Sequence, residues 1–184
     1  MKDEQLEFLK RKSECLFSEA DVEDALTKMA LEIELNLSKK LPVFVTVMNG
    51  GLITTARLVN KLRFSLEMDF LHVSRYGKDV FGSDLEWHAK PSTQLRNRCV
   101  LIVDDILDEG VTLREVVAYC KAQGASEVFS AVLLKKNNVR ALTDVSADFV
   151  GLEVEDRYVF GSGLDLKGYL RNVPGIYAVP EELL

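Results

Sequence analysis

One short segment limits what this chain can fold into more than any other. The apolar run 99–103 ends in Asp104 and Asp105, and Gly110 and Thr112 then precede an amphipathic stretch. A β-branched apolar run predicts a buried strand, and the spacing after it predicts a helix. Because ligands of α/β sheets bind beyond the carboxyl ends of the strands, we expect the two acids and the following loop to face a binding site.

Strand-like and helix-like segments alternate along the rest of the chain, which predicts an α/β fold with a central, mostly parallel sheet flanked by helices. Strands are predicted at 43–48, 66–73, 99–103, 128–134, 149–154, 158–161 and 176–179, and helices at 1–12, 18–38, 52–62 and 112–123. Ser18 and Asp21 form a variant of the capping box at the start of one helix. Residues 74–98 are polar and irregular. With no repeat or linker, the chain is predicted to be a single domain, 1–184, with a core at about 40–150.

Composition and charge narrow the classes of function. The formal net charge is −6 with no basic run, so we expect no nucleic-acid partner and no binding to an anionic membrane surface. Apolar stretches are too short for a membrane span, and the charged first residues lack the apolar core of a signal peptide. Three cysteines without a CxxC pair suit a reducing compartment, so the expected location is the cytoplasm.

The loop that follows the central strand has the chemistry of a phosphate site. Backbone N–H groups of such a loop, together with a helix N-terminus, can hold a phosphate. Asp104 and Asp105 can hold sugar hydroxyls or a hard metal ion. The P-loop string GxxxxGK[ST] and the dinucleotide string GxGxxG do not occur in the sequence. A receiver domain would carry an acidic pair near its first strand, where this chain has Met48-Asn49-Gly50-Gly51.

The segment from Val100 to Thr112 closely resembles the phosphoribosyl-diphosphate (PRPP) signature of type I phosphoribosyltransferases. That signature is an apolar strand, two acids, two apolar residues and Asp-x-Gly-x-Thr. The resemblance implies the type I fold, with a small hood built from the chain ends (about 151–184), a mobile lid at about 74–98 and a homo-oligomer, dimer or tetramer. It implies that Asp104 and Asp105 face the ribose hydroxyls. The loop that would clasp the 5′-phosphate comprises Asp108, Glu109, Gly110, Val111 and Thr112.

Two further motifs resemble the hypoxanthine-guanine branch of that family. Met48-Asn49-Gly50-Gly51 is similar to the branch's pyrophosphate loop, in which a non-proline cis peptide, here Met48–Asn49, aims main-chain N–H groups at the pyrophosphate. Many relatives carry a basic residue at the position of Asn49. Ser74-Arg75-Tyr76-Gly77 is similar to the start of the catalytic lid. Arg75 replaces a usual serine there, and Tyr76 is retained as the catalytic residue that the resemblance implies.

The remaining motifs concern the purine and the metal. Lys136, rather than the adjacent Lys135, matches the lysine that reads the purine. In the segment from Asp156 to Asp165, Tyr158 matches the residue that stacks on the base, and the main chain of Val159 matches the reader of the base edge. Asp165 matches an acid at the purine and metal site, and Arg171 matches an arginine near the pyrophosphate.

The resemblance implies a reaction that joins N9 of hypoxanthine or guanine to C1′ of PRPP and depends on Mg²⁺. Asp165 would hold the ion directly or through water, together with Asp104 and Asp105, because Mg²⁺ prefers oxygen ligands. Asp108 would be the acid/base group at N7. A lysine ammonium only donates hydrogen bonds, so Lys136 suits the O6 carbonyl and disfavours the amino group of adenine.

Two alternatives remain open at this point. The enzyme could prefer another purine, xanthine or adenine. The chain could also be a PRPP-binding regulator without catalysis, a class that includes RNA-binding relatives. A regulator of that kind would show a basic face and could lack the equivalents of Asp108 or Lys136, whereas this chain is acidic and has both.

Overall fold

The computed structural model describes residues 3–75, 85–137 and 145–183. The strands are β1 (Glu14–Phe17), β2 (Val43–Met48), β3 (Glu67–Arg75), β4 (Leu85–Ala89), β5 (Cys99–Leu107), β6 (Glu127–Asn137), β7 (Phe149–Glu155), β8 (Val159–Phe160) and β9 (Ile176–Ala178). The helices are α1 (Asp3–Lys12), α2 (Glu19–Leu37), α3 (Gly51–Val59) and α4 (Val111–Ala122), and a short 3-10 helix spans Glu181–Leu183.

Within these ranges the central sheet has six strands in the order β4-β3-β2-β5-β6-β7. Neighbouring strands from β3 to β7 run parallel, and β4 pairs antiparallel with β3 at the edge. The parallel order brings the carboxyl ends of β2, β5 and β6 to the same edge of the sheet. That edge therefore receives the loops in which most of the predicted site residues lie.

Both faces of β2 and β5 are covered, which explains why these two strands read as continuous apolar runs. On β2, Phe44 belongs to the core cluster that contains the apolar residues of α2, whereas Val43, Val45 and Val47 belong to the cluster on the α4 side. Helix α2 begins with the predicted capping box: the Ser18 hydroxyl accepts from the Asp21 backbone N–H at 3.2 Å, and the Asp21 carboxylate accepts from the Ser18 backbone N–H at 2.8 Å.

A second, antiparallel sheet joins the two ends of the chain in the order β1-β9-β8. Phe160 of β8 packs in a small buried apolar cluster with Leu166, Val173 and Val179. An ion pair at 2.6 Å between Arg157 Nη1 and Glu14 Oε2 links the same two parts of the chain. The predicted α/β fold and its hood built from the chain ends are therefore confirmed.

Three features differ from the sequence expectations. Strand β1 was not predicted, and β4 lies in the segment expected to be irregular. Strand β5 continues to Leu107, so Asp104 and Asp105 lie within the strand and not after its end. Pairing continues because β6 also extends, with Ile106 opposite Leu134 and Leu107 opposite Lys135.

Part of the expected lid lies in the described residues. On β4, Trp87 packs on Tyr119 of α4 with ring centroids 4.7 Å apart, and the His88 Nε2 lies 2.8 Å from the Ser74 hydroxyl. Tyr76 and the rest of 76–84 lie outside the described residues. Among the helices that the structure describes, none is long and apolar enough to span a membrane.

Candidate active site

A cavity of about 290 Å³ lies at the edge of the sheet where β2 and β5 end. It brings together most of the residues predicted to bind PRPP or metal. The predicted residues that line it are Met48, Asn49, Gly50, Asp104, Asp105, Asp108, Glu109, Gly110, Val111, Thr112, Asp165 and Arg171. They come from three separate parts of the sequence, so the fold itself assembles the site.

The loop after β5 ends at the N-terminus of α4, as predicted for a phosphate site. Gly110 has a φ of 81°, a left-handed conformation that glycine adopts without steric cost, and it turns the chain into the helix. The first helical hydrogen bond runs from the Arg114 N–H to the Gly110 carbonyl at 3.0 Å. The N–H groups of Val111 and Thr112 therefore lie at the open, positive end of the helix dipole, where an anion is stabilised.

Asp104 and Asp105 are two buried carboxyl groups side by side, each 9% exposed. The Asp104 Oδ1 accepts from the Asp105 backbone N–H at 2.9 Å. Burial, and then the neighbouring charge of Asp105, raise the pKa of Asp104 well above its ordinary value. Burial also raises the pKa of Asp105, although a hydrogen bond from Asp104 and the charge of Arg171 oppose that rise. Such a pair favours a ligand that donates hydrogen bonds or brings positive charge.

Arg171 links the acids on two sides of the cavity. Its Nη2 lies 2.7 Å from Asp165 Oδ1, and its Nη1 lies 3.6 Å from Asp105 Oδ2. Nη1 also donates to the Gly163 carbonyl at 2.7 Å. The other oxygen of Asp165 accepts from the Gly168 backbone N–H at 2.6 Å. Arg171 therefore fixes the hood segment against the end of β5 and holds a positive charge on the cavity wall.

The loop after β2 approaches the acids closely. The Met48–Asn49 peptide bond is cis, as the resemblance implied. Gly50 packs so tightly that a Cβ atom there would lie 2.6 Å from Asp105 Oδ1 and closer still to the other carboxylate atoms. A Cβ atom at Gly163 would meet the Gly50 carbonyl at 2.8 Å. Absence of side chains at these two positions thus lets three chain segments meet around the Asp105 carboxylate.

Lys136 connects this cavity to the predicted purine residues. Its Nζ lies 3.1 Å from Asp108 Oδ2 and 3.4 Å from Asp156 Oδ1, and its side chain is only 11% exposed. Lys135 pairs instead with Glu153 at 3.1 Å. Because successive residues of a strand point to opposite faces, only one of the two lysines can face the loop of Asp108. The contacts favour Lys136 over Lys135 as the residue beside the cavity.

Tyr158 and Val159 lie in the hood and directly follow the segment Asp156–Arg157 in sequence. Tyr158 is 40% exposed, and its carbonyl accepts from the Val179 N–H at 2.9 Å. Val159 is buried and pairs with Ala178 on β9. Among the described residues, the cavity lining does not include Lys136, Tyr158 or Val159. Of these three predicted purine residues, Lys136 is joined to the cavity by its ion pair with Asp108.

Sequence reasoning missed two contributors to this arrangement. Asp156 belongs to the segment that resembles the base-binding motif, yet its contact with Lys136 depends on the pairing of β6 with β7. Gly163 contributes its carbonyl to Arg171 and its close approach to Gly50. The only local signal for Gly163 was the repeated glycine in Gly161-Ser162-Gly163.

The oxygen donors of the cavity suit a hard divalent cation. Five carboxylates line it, and those of Asp104, Asp105 and Asp165 are the predicted metal ligands. In residues 3–75, 85–137 and 145–183, no group of three or more histidine, cysteine, aspartate or glutamate side chains is placed to hold a metal ion alone. Mg²⁺ usually takes one or two carboxylates and completes its shell with water and substrate phosphates, so the residues fit that ion.

Comparison with known proteins agrees with this geometry. A family model described as the phosphoribosyl transferase domain matches residues 16–167. The hypoxanthine-guanine phosphoribosyltransferase of Aquifex aeolicus is 34% identical over 93% of this chain and 97% of its own length, and that of Bacillus subtilis is 33% identical over 88% and 89%. A solved structure of a hypoxanthine phosphoribosyltransferase from Staphylococcus aureus, 25% identical, superposes with a TM-score of 0.89 over 96% of each chain. The chain therefore belongs to the phosphoribosyltransferase family, in its hypoxanthine-guanine phosphoribosyltransferase branch.

Proposed function

We propose that this enzyme serves purine salvage by transferring the 5-phosphoribosyl group of PRPP to N9 of hypoxanthine or guanine. The products are IMP or GMP and pyrophosphate. The observation that carries the proposal is the position of Lys136, whose ammonium contacts Asp108 of the predicted phosphate loop at 3.1 Å. A donor-only group beside that loop suits a purine with a carbonyl at C6.

Specificity for 6-oxopurines follows from the same group. Hypoxanthine and guanine present an O6 acceptor, whereas adenine presents an amino donor that faces the donors of Lys136. A site built to hydrogen-bond one substrate group rejects an analogue without that group by orders of magnitude. Stacking on Tyr158 and hydrogen bonds to the main chain of Val159 would hold any purine, so discrimination is assigned to Lys136.

The reaction needs stabilisation of separated charge. As the C1′–O bond to pyrophosphate breaks and the C1′–N9 bond forms, positive charge develops on the ribose and negative charge on the leaving group. Asp104 and Asp105 orient the ribose hydroxyls, and the loop of Asp108 to Thr112 holds the 5′-phosphate. Main-chain N–H groups of the Met48–Asn49–Gly50 turn, with Arg171, face the leaving pyrophosphate.

Two further residues complete the proposal. The Asp108 carboxylate accepts or shares the proton at N7 as the base reacts. Tyr76, which lies outside the described residues, is the second catalytic residue of the proposal, and closure of the lid at about 74–98 would exclude water that would hydrolyse PRPP. In this reading, residues 1–184 form one domain with the hood segment at about 151–184.

Mg²⁺ is assigned to the carboxylate edge of the cavity. Asp165, directly or through water, and the pair Asp104 and Asp105 would hold it together with PRPP oxygens. When bound, the ion neutralises charge on the leaving pyrophosphate. The Arg171–Asp165 contact of 2.7 Å leaves the second Asp165 oxygen on the backbone of Gly168, so metal binding would require this carboxylate to share or exchange partners.

A spectrophotometric assay with PRPP, Mg²⁺ and each purine in turn tests the proposal. We expect turnover of hypoxanthine and guanine, with adenine poorer by orders of magnitude, and loss of turnover when the metal is chelated. Equal or better turnover of adenine or xanthine would move the enzyme to another purine preference. PRPP binding without turnover of any base would favour a regulator without catalysis.

The proposal extends to assembly and location. We infer a homo-oligomer, a dimer or a tetramer, and a cytoplasmic enzyme. Support for association comes from β3, where Met68 and Phe70 share one face and are 53% and 49% exposed. Large apolar side chains grouped in this way favour burial against another surface. Sedimentation of wild type and of Phe70→Ser tests this inference, and a monomeric wild type would contradict it.

A further inference from the structure

Lys136 is held by two carboxylates, and the proposed chemistry uses only one of them. The ammonium lies 3.1 Å from Asp108 Oδ2 and 3.4 Å from Asp156 Oδ1. The lysine side chain is 11% exposed, whereas Asp108 and Asp156 are 44% and 31% exposed. The lysine is thus the most enclosed of the three groups, and its position depends on both acids.

The two carboxylates that contact Lys136 come from different parts of the fold, and Asp156 is held by β7. Asp156 directly follows β7, which pairs in parallel with β6 through Lys136 opposite Val154 and Asn137 opposite Glu155. The main chain before Asp156 is therefore anchored to the strand that carries the lysine. Asp108, in contrast, lies in the loop between β5 and α4, which is expected to adjust when PRPP binds.

A count of donors gives each partner a role. An ammonium has three N–H donors, so Asp108 and Asp156 can each accept one and the third remains for the O6 carbonyl. When Asp108 takes or shares the N7 proton, its negative charge is reduced and its attraction for the lysine falls. Asp156, which touches neither N7 nor the ribose in this scheme, keeps its charge and continues to hold the ammonium.

We propose that Asp156 is a positioning residue for 6-oxopurine specificity, which holds the Lys136 ammonium at the O6 position while Asp108 serves N7. The inference rests on the proposed function, because it assumes that Lys136 reads O6. Asp156 lies two residues before Tyr158, so it also links the lysine to the segment proposed to stack on the base. Asp156 therefore affects specificity by holding Lys136, without contacting the purine.

The neighbouring lysine supplies a matched control. Lys135 pairs with Glu153 at 3.1 Å between β6 and β7, and both of these side chains are more exposed than those of Lys136 and Asp156. Ion pairs with partly exposed carboxylates contribute little to folding stability, so both Asp156→Asn and Glu153→Gln are expected to fold. Thermal unfolding of both variants checks this before any kinetic comparison.

The experiment compares steady-state kinetics of wild type, Asp156→Asn, Asp156→Glu and Glu153→Gln with hypoxanthine, guanine and adenine. For Asp156→Asn we expect kcat/KM for the two 6-oxopurines to fall by on the order of tenfold, mainly through the KM for the purine, because the ammonium then faces a neutral amide oxygen in place of a carboxylate and the charge-assisted bond weakens. The KM for PRPP and the weak activity on adenine should stay within about twofold, because Asp156 is proposed to contact neither PRPP nor the purine. Asp156→Glu should recover part of the loss, and Glu153→Gln should match wild type.

A double variant separates positioning from general damage. If Asp156 acts through the lysine, Asp156→Asn should have no further effect on the ratio of hypoxanthine to adenine kcat/KM in a Lys136→Ala background. An equal loss for all three purines, an unchanged ratio in Asp156→Asn, or an additive loss in the double variant would overturn the inference. Wild-type turnover decides the proposed function separately: if wild type uses neither hypoxanthine nor guanine, the function fails and this inference fails with it.

Discussion

Replacing Gly50 by alanine tests whether the close approach of the β2 loop positions the ribose-binding acids. The backbone of Gly50 has φ −59° and ψ −51°, which alanine adopts readily. In an open site the change would stabilise the protein by about 0.4–1 kcal/mol, because the unfolded chain loses freedom. Here, however, the new Cβ atom would lie 2.6 Å from Asp105 Oδ1 and closer to Cγ and Oδ2.

The size of that overlap decides whether Gly50→Ala stabilises or destabilises the protein. An ordinary contact begins at 3.4 Å, so the carboxylate would have to move by about 1 Å. Asp105 is buried, and Arg171 and Asp104 contact it, so its movement has little room. Overpacking of this kind typically costs about 1–3 kcal/mol, which exceeds the gain from the backbone. A displacement of about 1 Å in a positioning group can lower the rate by roughly 10²-fold.

We therefore expect Gly50→Ala to lower the free energy of unfolding by about 1–2 kcal/mol in urea, the difference between the overpacking cost and the backbone gain. We expect kcat/KM for PRPP to fall by roughly 10²-fold. In an Asp105→Ala background the three carboxylate atoms are absent, so the same substitution should be neutral or stabilising. The coupling between the two positions should be about 1–3 kcal/mol. An equal cost in both backgrounds, or a more stable and fully active Gly50→Ala, would refute the reasoning.

Three further predictions concern single residues of the site. Asp108→Asn should lower the single-turnover rate by roughly 10²–10⁴-fold while PRPP binding persists, and a loss under about tenfold would remove it from the acid/base role. Tyr158→Ala should weaken all three purines by roughly 1–3 kcal/mol, whereas Lys136→Ala should affect hypoxanthine and guanine only; equal losses for every base in the lysine variant would argue against O6 reading. Asp104→Asn should raise the free energy of unfolding of the ligand-free protein by roughly 1–3 kcal/mol. The asparagine oxygen can still accept from the Asp105 N–H, and the substitution removes a buried carboxylate beside Asp105. A variant that is less stable in urea would contradict this.

The core of the sheet was predictable from sequence because its central strands, β2 and β5, are buried on both faces. The predicted strand at 43–48 coincides with β2, and the capping box at Ser18 marks the start of α2. The end of β5 was not predictable in the same way. Two aspartates have low strand propensity, but the continued pairing with β6 keeps Asp104 and Asp105 in the strand.

Other features depend on partners that local sequence does not reveal. Strand β1 has four residues and forms only because β9, far along the chain, pairs with it. Strand β4 does alternate, with Leu85, Trp87 and Ala89 on one side and charged or polar residues on the other, yet five residues in a polar segment gave a weak signal. In the site, the motifs predicted most of the residues that line the cavity, whereas the contact of Asp156 with Lys136 became visible only in three dimensions.

The pairing of β1 with β9 has a consequence for the order in which the protein can fold. During synthesis, all strands of the six-stranded sheet are available once β7 has emerged from the ribosome. The cavity edge at β5 and the contact of Lys136 on β6 with Asp156, just after β7, can therefore form early. Glu14, however, pairs with Ala178 and must wait for almost the whole chain. Contacts between residues so distant in sequence form slowly because the loop between them must first close. The half of the site near the phosphate loop can thus be built while the hood, with Val159 paired to the same strand β9, is completed only when synthesis is nearly over.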